Sequence, residues 1–326
     1  MKKILITGGA GFIGSHLSEI MLAEKAQVTV LDDLSTGSLS NIAHLTADNN
    51  FTFIEDRVQN TELLDELVKN CDYIYHLAAA VGVKLIVEQP IRTIKTNIYG
   101  TEAVLEAAAK YNKKLLIAST SEVYGKSDSV PFSEDDDVIY GSTKYSRWSY
   151  ACSKAIDEFL ALAFYQQYGL EVLVTRFFNT VGPRQTGQYG MVVPRFVRAA
   201  LANQPITVYG SGKQTRCFSY VGDVVKGAKE LMECGRAFGQ VFNLGCNEEI
   251  SIEGLAAKII QLCQSESKVS YMDYKQAYGR EFDDMMRRVP SLEKATKTIG
   301  YKPQFSLEDT LKAVIEYEKS VKSAKS

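Results

Sequence analysis

KILITGGAGFIGSHL, residues 3–17, decides the fold. Lys2 to Thr7 is a short apolar, β-branched run and reads as a buried strand. Gly8, Gly9, Gly11 and Gly14 follow, and then an apolar-periodic helix from Phe12 to Ala23. The glycines satisfy both GxxGxxG and GxGxxG. Gly8 and Gly9 make the tight turn, and Gly11 lets backbone approach a pyrophosphate. Gly14 lets the helix pack on the strand, while Phe12 and Ile13 open a helix whose amides face the phosphate charge. A bare strand–helix turn with no ligand is the plainer alternative. The full strand, turn and helix context favours a dinucleotide site.

Working outward, the strand Gln27 to Leu31 ends in Asp32 and Asp33. An acid at that distance past the glycines accepts hydrogen bonds from an adenosine ribose. No arginine follows between Leu34 and Leu39 to hold a 2′-phosphate, which favours NAD over NADP. The plainer role for either aspartate is to cap the next turn.

Strands then alternate with helices. Phe51 to Glu55 is a strand closed by Asp56 and Arg57. Asn60 to Lys69 is a helix. Asp72 to Ala78 is a strand running into HLAAAVGV, with Leu77, Ala78 and Ala79 at its carboxyl end. Thr93 to Tyr111 is a long helix carrying Asn97. Leu115 to Ser119 runs into TSEVYG, and the helix Tyr150 to Tyr168 precedes the strand Glu171 to Phe177. This alternation implies an α/β fold, a Rossmann-type doubly wound parallel sheet with ligands at the strands' carboxyl ends. Residues 1–178 are assigned to it. After Asn179 the composition shifts: VGPRQTGQYG (181–190) and VYGSGKQTRCF (208–218) are rich in Gly, Arg and Gln. Residues 179–326 therefore read mainly as a smaller C-terminal substrate-binding lobe. Segments at about 216–250 return to the main domain, with Asn243 to Cys246 rejoining its sheet.

The chain has 326 residues, with 37 basic and 39 acidic side chains. That balance argues against nucleic acid as a partner. No run of 18 apolar residues exists to span a membrane. Ile4 to Ile6 is too short for a secretion signal and is needed as a strand. Six scattered cysteines, without CxxC or histidine clusters, read as reduced cytoplasmic thiols, with no metal site. His16, His44 and His76 read as structural.

Tyr150 and Lys154, in YACSK, lie four residues apart on one helix face. A nearby ammonium favours the phenolate, so Tyr150 is a candidate acid or base. This pair joins GGAGFIG (8–14), Asp32, HLAA (76–79), TNIYGT (96–101), STSEVYG (119–125), RFFNTVGPR (176–184) and RCFSYVGDV (216–224). With these motifs in this order, the chain resembles the extended short-chain dehydrogenase/reductases of the nucleotide-sugar epimerase, dehydratase and decarboxylase group, over nearly its whole length.

The resemblance implies a chemistry. Tyr150 removes the proton of the sugar C4 hydroxyl, Thr120 bonds the same oxygen, and hydride passes to NAD. Lys154 lowers the tyrosine pKa and binds the nicotinamide ribose. Ser121 and Glu122, beside Thr120, then set the fate of the 4-ketone. Glutamate at that position is common in 4,6-dehydratases and UDP-glucuronate decarboxylases, and uncommon in simple 4-epimerases. RWSYACSK (147–154), GKQTRCF (212–218) and YGREFDDMMRRVPSLEKA (278–295) lean towards the decarboxylases. Arg288 falls where they place a catalytic arginine, although RRVP departs from their RKP. The leading reading is an NAD-dependent decarboxylase or 4,6-dehydratase of a nucleotide-diphosphate sugar, and the runner-up is a 4-epimerase of a UDP-sugar or UDP-uronate. A non-catalytic NAD-binding regulator would show a degraded catalytic set, and this chain keeps Thr120, Tyr150 and Lys154. Asn179, Arg184, Arg195, Arg216, Arg280 and Arg288 are the candidates for binding the nucleotide-diphosphate sugar. In such families the helices corresponding to Thr93–Lys110 and Tyr150–Tyr168 pair into a four-helix bundle, which implies a homodimer.

Overall fold

The computed structural model describes residues 1–187, 191–278 and 284–323. Its centre is a parallel sheet built from β1 (Lys3–Thr7), β2 (Gln27–Asp32), β3 (Phe51–Glu55), β4 (Tyr73–His76), β5 (Lys114–Thr120), β6 (Val172–Phe177) and a late strand, Val241–Leu244. Helices α1 (Phe12–Ala23), α2 (Thr61–Lys69), α3 (Val83–Glu88), α4 (Pro90–Lys110) and α5 (Arg147–Tyr168) fill the crossovers. The order across the sheet is late strand, β6, β5, β4, β1, β2, β3. It reverses direction beside β1, where two neighbouring crossovers leave a crevice. β1 pairs with β2 from Lys3 opposite Gln27 and with β4 from Ile4 opposite Tyr73.

Burial follows from this arrangement. One face of the sheet packs Ile4, Ile6, Val28 and Val30 against α1 and a later helix. The other packs Leu5, Leu31, Ile74 and Ile117 against α2, α4 and α5. With apolar cover on both faces, the strands read as continuous apolar runs. Asn60 caps α2, accepting from the Leu63 amide at 3.4 Å. Gly169 ends α5 in a left-handed conformation. Two helices start earlier than the sequence periodicity suggests. α4 begins at Pro90, which suits a first helical turn where no amide bond is required. α5 begins at Arg147, which brings that side chain onto the helix that carries Tyr150.

The rest of the chain runs through β7 (Thr180–Val181), α6 (Val192–Leu201), β8 (Ile206–Tyr209), β9 (Thr215–Cys217), β10 (Ser219–Tyr220), α7 (Val221–Glu233), β11 (Val241–Leu244), β12 (Glu249–Ser251), α8 (Ile252–Cys263), β13 (Val269–Met272), α9 (Tyr274–Tyr278), α10 (Glu293–Ile299) and α11 (Leu307–Ser323). β11 is the late strand and pairs with β6 from Val241 opposite Val174. α6, α8 and α11 enclose a separate apolar cluster around Phe196, Leu255 and Leu311. Among the described residues no helix is long and apolar enough to cross a membrane.

Candidate active site

A cavity of about 720 Å³ runs along the carboxyl ends of the strands. One end is formed by the glycine turn. Gly8 has a φ of +75°, and a Cβ there would lie 2.6 Å from the Ala78 nitrogen. A Cβ on Gly14 would lie 2.4 Å from the Gly8 carbonyl oxygen. Both glycines are needed for close backbone approach. Gly11 caps α1 in an extended conformation with no side-chain hydrogen bond, so the first amides of α1, at Phe12 and Ile13, face the cavity without a side-chain acceptor.

Asp32 accepts from the Ala10 amide through Oδ2 and from the Leu34 amide through Oδ1, both at 2.9 Å. Burial raises its pKa and the amides oppose that rise. Asp33 accepts from the Ser35 amide at 3.0 Å and lies 3.8 Å from Arg57. The turn-capping role is therefore realised by both aspartates, and both still line the cavity. Asp56, Arg57, Leu77, Ala78 and Ala79 line it too. Asn97 lies one layer behind. It accepts from the Ala80 amide at 2.8 Å and donates to Ser153 Oγ at 3.1 Å, tying α4 to α5.

The catalytic candidates gather at the other end. β5 delivers Thr120, and a 3₁₀ turn, Ser121–Tyr124, delivers Ser121 and Glu122. The Thr120 hydroxyl accepts from the Glu122 amide at 3.2 Å and acts on Tyr150 to lower its pKa. Tyr150 and Lys154 share the buried side of α5. The expectation of a lowered tyrosine pKa is not met in the free protein. Burial raises it above the ordinary value, and the charges of Glu122 and Asp157 add to that rise. Lys154 donates instead to Asp157 at 2.8 Å.

Three arginines and two carboxylates form a buried cluster beside Glu122. Arg147 Nη1 lies 2.8 Å from Asp284 and its Nη2 3.5 Å from Glu122. Arg216 Nη2 donates to the same Asp284 oxygen at 2.9 Å. Arg288 reaches Glu122 at 3.3 Å, Ser121 Oγ at 3.4 Å and Asn179 Oδ1 at 3.3 Å. Burial alone would raise both carboxyls, but the guanidinium charges outweigh it. Glu122 falls below the usual carboxylate range, and Asp284 falls to about 2. Burial lowers Arg288 to about 10 against the opposing pull of Glu122. Its Nε has no hydrogen-bond partner among the described residues.

Sequence reasoning missed Arg147, Asp284 and Asp157. Arg147 lies one helical turn before Tyr150, and that spacing was the available signal. Two more predicted arginines, Arg184 and Arg195, also line the cavity, each engaged by neighbouring groups. Arg184, with a φ of 69°, clasps Glu19 with two contacts of 2.7 Å and meets His16. Arg195 donates to the Thr207 carbonyl at 2.9 Å and lies over the Tyr209 ring. Arg280 lies outside the described residues. Asn179 holds a φ of 29°, a strained backbone position on the cavity wall.

Comparison with known proteins decides the family. The family model described as GDP-mannose 4,6 dehydratase matches residues 5–314. The chain belongs to this family. Among its relatives is a UDP-N-acetyl-alpha-D-glucosaminuronate decarboxylase of Bacillus cytotoxicus. It is 42% identical over 323 residues, which cover 99% of each chain. UDP-glucuronic acid decarboxylase 1 of Xenopus tropicalis is 39% identical over 318 residues, 97% of this chain and 72% of that protein. A solved structure of UDP-glucuronic acid 4-epimerase from Bacillus cereus, in complex with UDP-glucuronic acid and NAD, superposes with a TM-score of 0.88. It is 30% identical and covers 98% of this chain and 99% of its own.

Proposed function

We propose that this chain is an NAD-dependent decarboxylase of a UDP-uronate, acting through transient oxidation at the sugar C4. One observation carries the reading. Beside Thr120 and Tyr150, three buried arginines face two carboxylates among the described residues, and the Nε edge of Arg288 has no hydrogen-bond partner there. An open guanidinium edge in a buried pocket suits an anion. At that position the anion is one borne by the sugar, and a uronate carboxylate on C5 supplies it.

The cofactor half fits NAD. The uncapped first turn of α1 suits a pyrophosphate, and Asp32 suits a ribose with free hydroxyls. Bound there, NAD supplies a reversible hydride acceptor. Tyr150 takes up the C4 hydroxyl proton, and Thr120 holds the oxygen in place. Arg288 pairs with the substrate carboxylate through its partnerless Nε edge, which keeps that carboxylate ionised. With C4 as a ketone, the C5–carboxylate bond breaks and carbon dioxide leaves. Its electron pair passes into the C4 carbonyl, whose oxygen rests on Thr120 and Tyr150. Glu122 faces the same site and is placed to manage the proton that C5 then receives.

A 4-epimerase is the second reading, favoured by the likeness to the Bacillus cereus epimerase. Mass and NMR analysis of products from NAD-loaded protein and a panel of nucleotide sugars separates the readings. Loss of carbon dioxide from a UDP-uronate is expected. Loss of water, or an epimer of unchanged mass, would replace the decarboxylase assignment. We also propose a homodimer. Ile91 and Tyr99 on α4 and Ile156 and Phe159 on α5 are exposed, with Phe159 at 72%, on two helices packed side by side. The six unpaired cysteines support a cytoplasmic setting.

A further inference from the structure

Behind Lys154, polar groups continue into the core. The ammonium donates to Asp157 Oδ2 at 2.8 Å, one turn further along α5. The other oxygen of Asp157, Oδ1, is buried without a hydrogen-bond partner among the described residues, and Thr101, on α4, is one of the groups that lower the pKa of this carboxyl against the effect of burial. Thr101 Oγ1 lies 3.3 Å from His76 Nε2 on β4, and His76 Nδ1 lies 2.7 Å from Thr7 Oγ1 at the end of β1. All four groups are buried, with Asp157 and Thr101 at 0% exposure, and none lines the cavity. The reaction described above uses none of them.

A buried ion pair is weak evidence of stability, because apolar side chains of similar volume often serve the fold as well. This one is attached to the lysine beside the reacting tyrosine. We propose that Asp157 is a positioning residue that anchors the Lys154 ammonium and thereby sets how readily Tyr150 gives up and regains its proton. The anchor fixes where the ammonium sits. Its charge also opposes that of Lys154, so Tyr150 faces an ion pair rather than a lone cation.

The surrounding groups agree with this role. Glu158, next on α5, is engaged by Arg176 and Ser119. His76 is held neutral, because burial and the Lys154 charge lower its pKa to about 3. It therefore serves Thr101 as a hydrogen-bond partner and brings no charge. Tyr150 is faced from other elements by Thr120, Glu122 and Arg288.

The inference rests on Tyr150 being the acid–base group. Asp157 and Tyr150 are two helical turns apart, about 10 Å along the axis. Removing a unit charge at that distance should ease Tyr150 ionisation by roughly half to one pH unit at an effective dielectric of about 20–40. The test is Asp157→Asn in the NAD-loaded protein. The acid limb of the pH–rate profile should move down by that amount. Tyrosinate absorbance, taken as a difference against the matching Tyr150→Phe protein, should appear correspondingly earlier. Asp157→Glu should return both to the parent position. Asp157→Ser, a smaller neutral acceptor, carries the same test if the Asn protein does not fold. A folded neutral variant whose limb and tyrosinate onset stay in place, or move up, overturns the proposal, whatever its loss of thermal stability. The optical readout needs no substrate, so failure of the Asp157 effect is read separately from failure of the proposed reaction.

Discussion

Arg288→Met should stabilise the ligand-free protein. Arg288 is 6% exposed, and burial lowers its pKa to about 10. A depression of that size below an ordinary arginine corresponds to about 3 kcal/mol. The unfolded chain keeps this proton to higher pH than the folded one. Stability therefore rises with pH between about 10 and the ordinary arginine range, and at neutral pH the penalty is fully present. Methionine retains most of the stem's packing and removes the charge. The hydrogen bonds that Arg288 gives up, to Ser121, Asn179 and Glu122, are long, at 3.3–3.4 Å. Offsetting them leaves an expected gain of about 1–2 kcal/mol.

The assay is urea unfolding at neutral pH. It is followed by far-ultraviolet circular dichroism and by the fluorescence of Trp148, the only tryptophan, at 2% exposure. Arg147→Met is the internal control. Burial also acts against Arg147, but Glu122 and Asp284 outweigh it and raise its pKa. Breaking its 2.8 Å contact with Asp284 should cost about 3–5 kcal/mol. Two arginines in one pocket should thus give changes of opposite sign. A loss of more than about 1 kcal/mol in Arg288→Met would refute the view that this charge is held in wait for an anion.

Other consequences can be measured directly. Tyr150→Phe should lower turnover by about 10²–10⁴-fold while calorimetric NAD affinity stays near the parent value, because only the proton acceptor is lost. Asp32→Ala should erase the preference for NAD over NADP in binding titrations; an unchanged preference would show that Asp32 does not read the ribose. Phe159→Glu places a charge on the exposed face shared by α4 and α5, so light scattering at micromolar concentration should shift from a dimer mass to a monomer mass.

The fold was legible because its determinants are local and periodic. The strand–glycine–helix unit and the buried β-branched runs each announce themselves within a short stretch of chain, and the helix Phe12–Ala23 and the strand Phe51–Glu55 appear with the predicted bounds. Tyr150 and Lys154 were legible as a pair four residues apart on one helix and Thr120 through the family resemblance, and the structure brings Tyr150 and Thr120 together at one end of the cavity with Lys154. The charge cluster was not. Arg147 and Asp284 are far apart in the chain, and only the packing of the later chain against α5 makes them partners. Single arginines near a glycine turn carry no sign of which is spoken for. Arg184 lies in a matching motif, yet it answers to Glu19 on α1. Asp157 was hidden differently. A carboxylate on an amphipathic helix reads as solvent-facing, and its burial follows from the way α5 packs against α4 and the sheet.

The polarity of the cavity then limits how two ligands can lie in it. Asp32, Asp33 and Asp56, with Arg57 beside Asp33, mark one end, and Arg147, Arg216 and Arg288, with Glu122 and Asp284 among them, the other. A dinucleotide's adenosine ribose offers hydroxyl donors and belongs with the acids, while its pyrophosphate belongs at the first turn of α1. On the proposed reading, the remaining half extends towards Lys154 and Tyr150. An anionic sugar is repelled from the acid end and drawn to the arginines, so it approaches from the opposite side. The two reacting ends can then meet only beside Tyr150. Here burial and Glu122 oppose ionisation of the hydroxyl until an incoming positive charge, or the loss of Glu122's influence, offsets them. On the proposed reading, Tyr150 is thus a poor base in the free protein, and it becomes a competent one when the positive charge of an oxidised nicotinamide lies beside it.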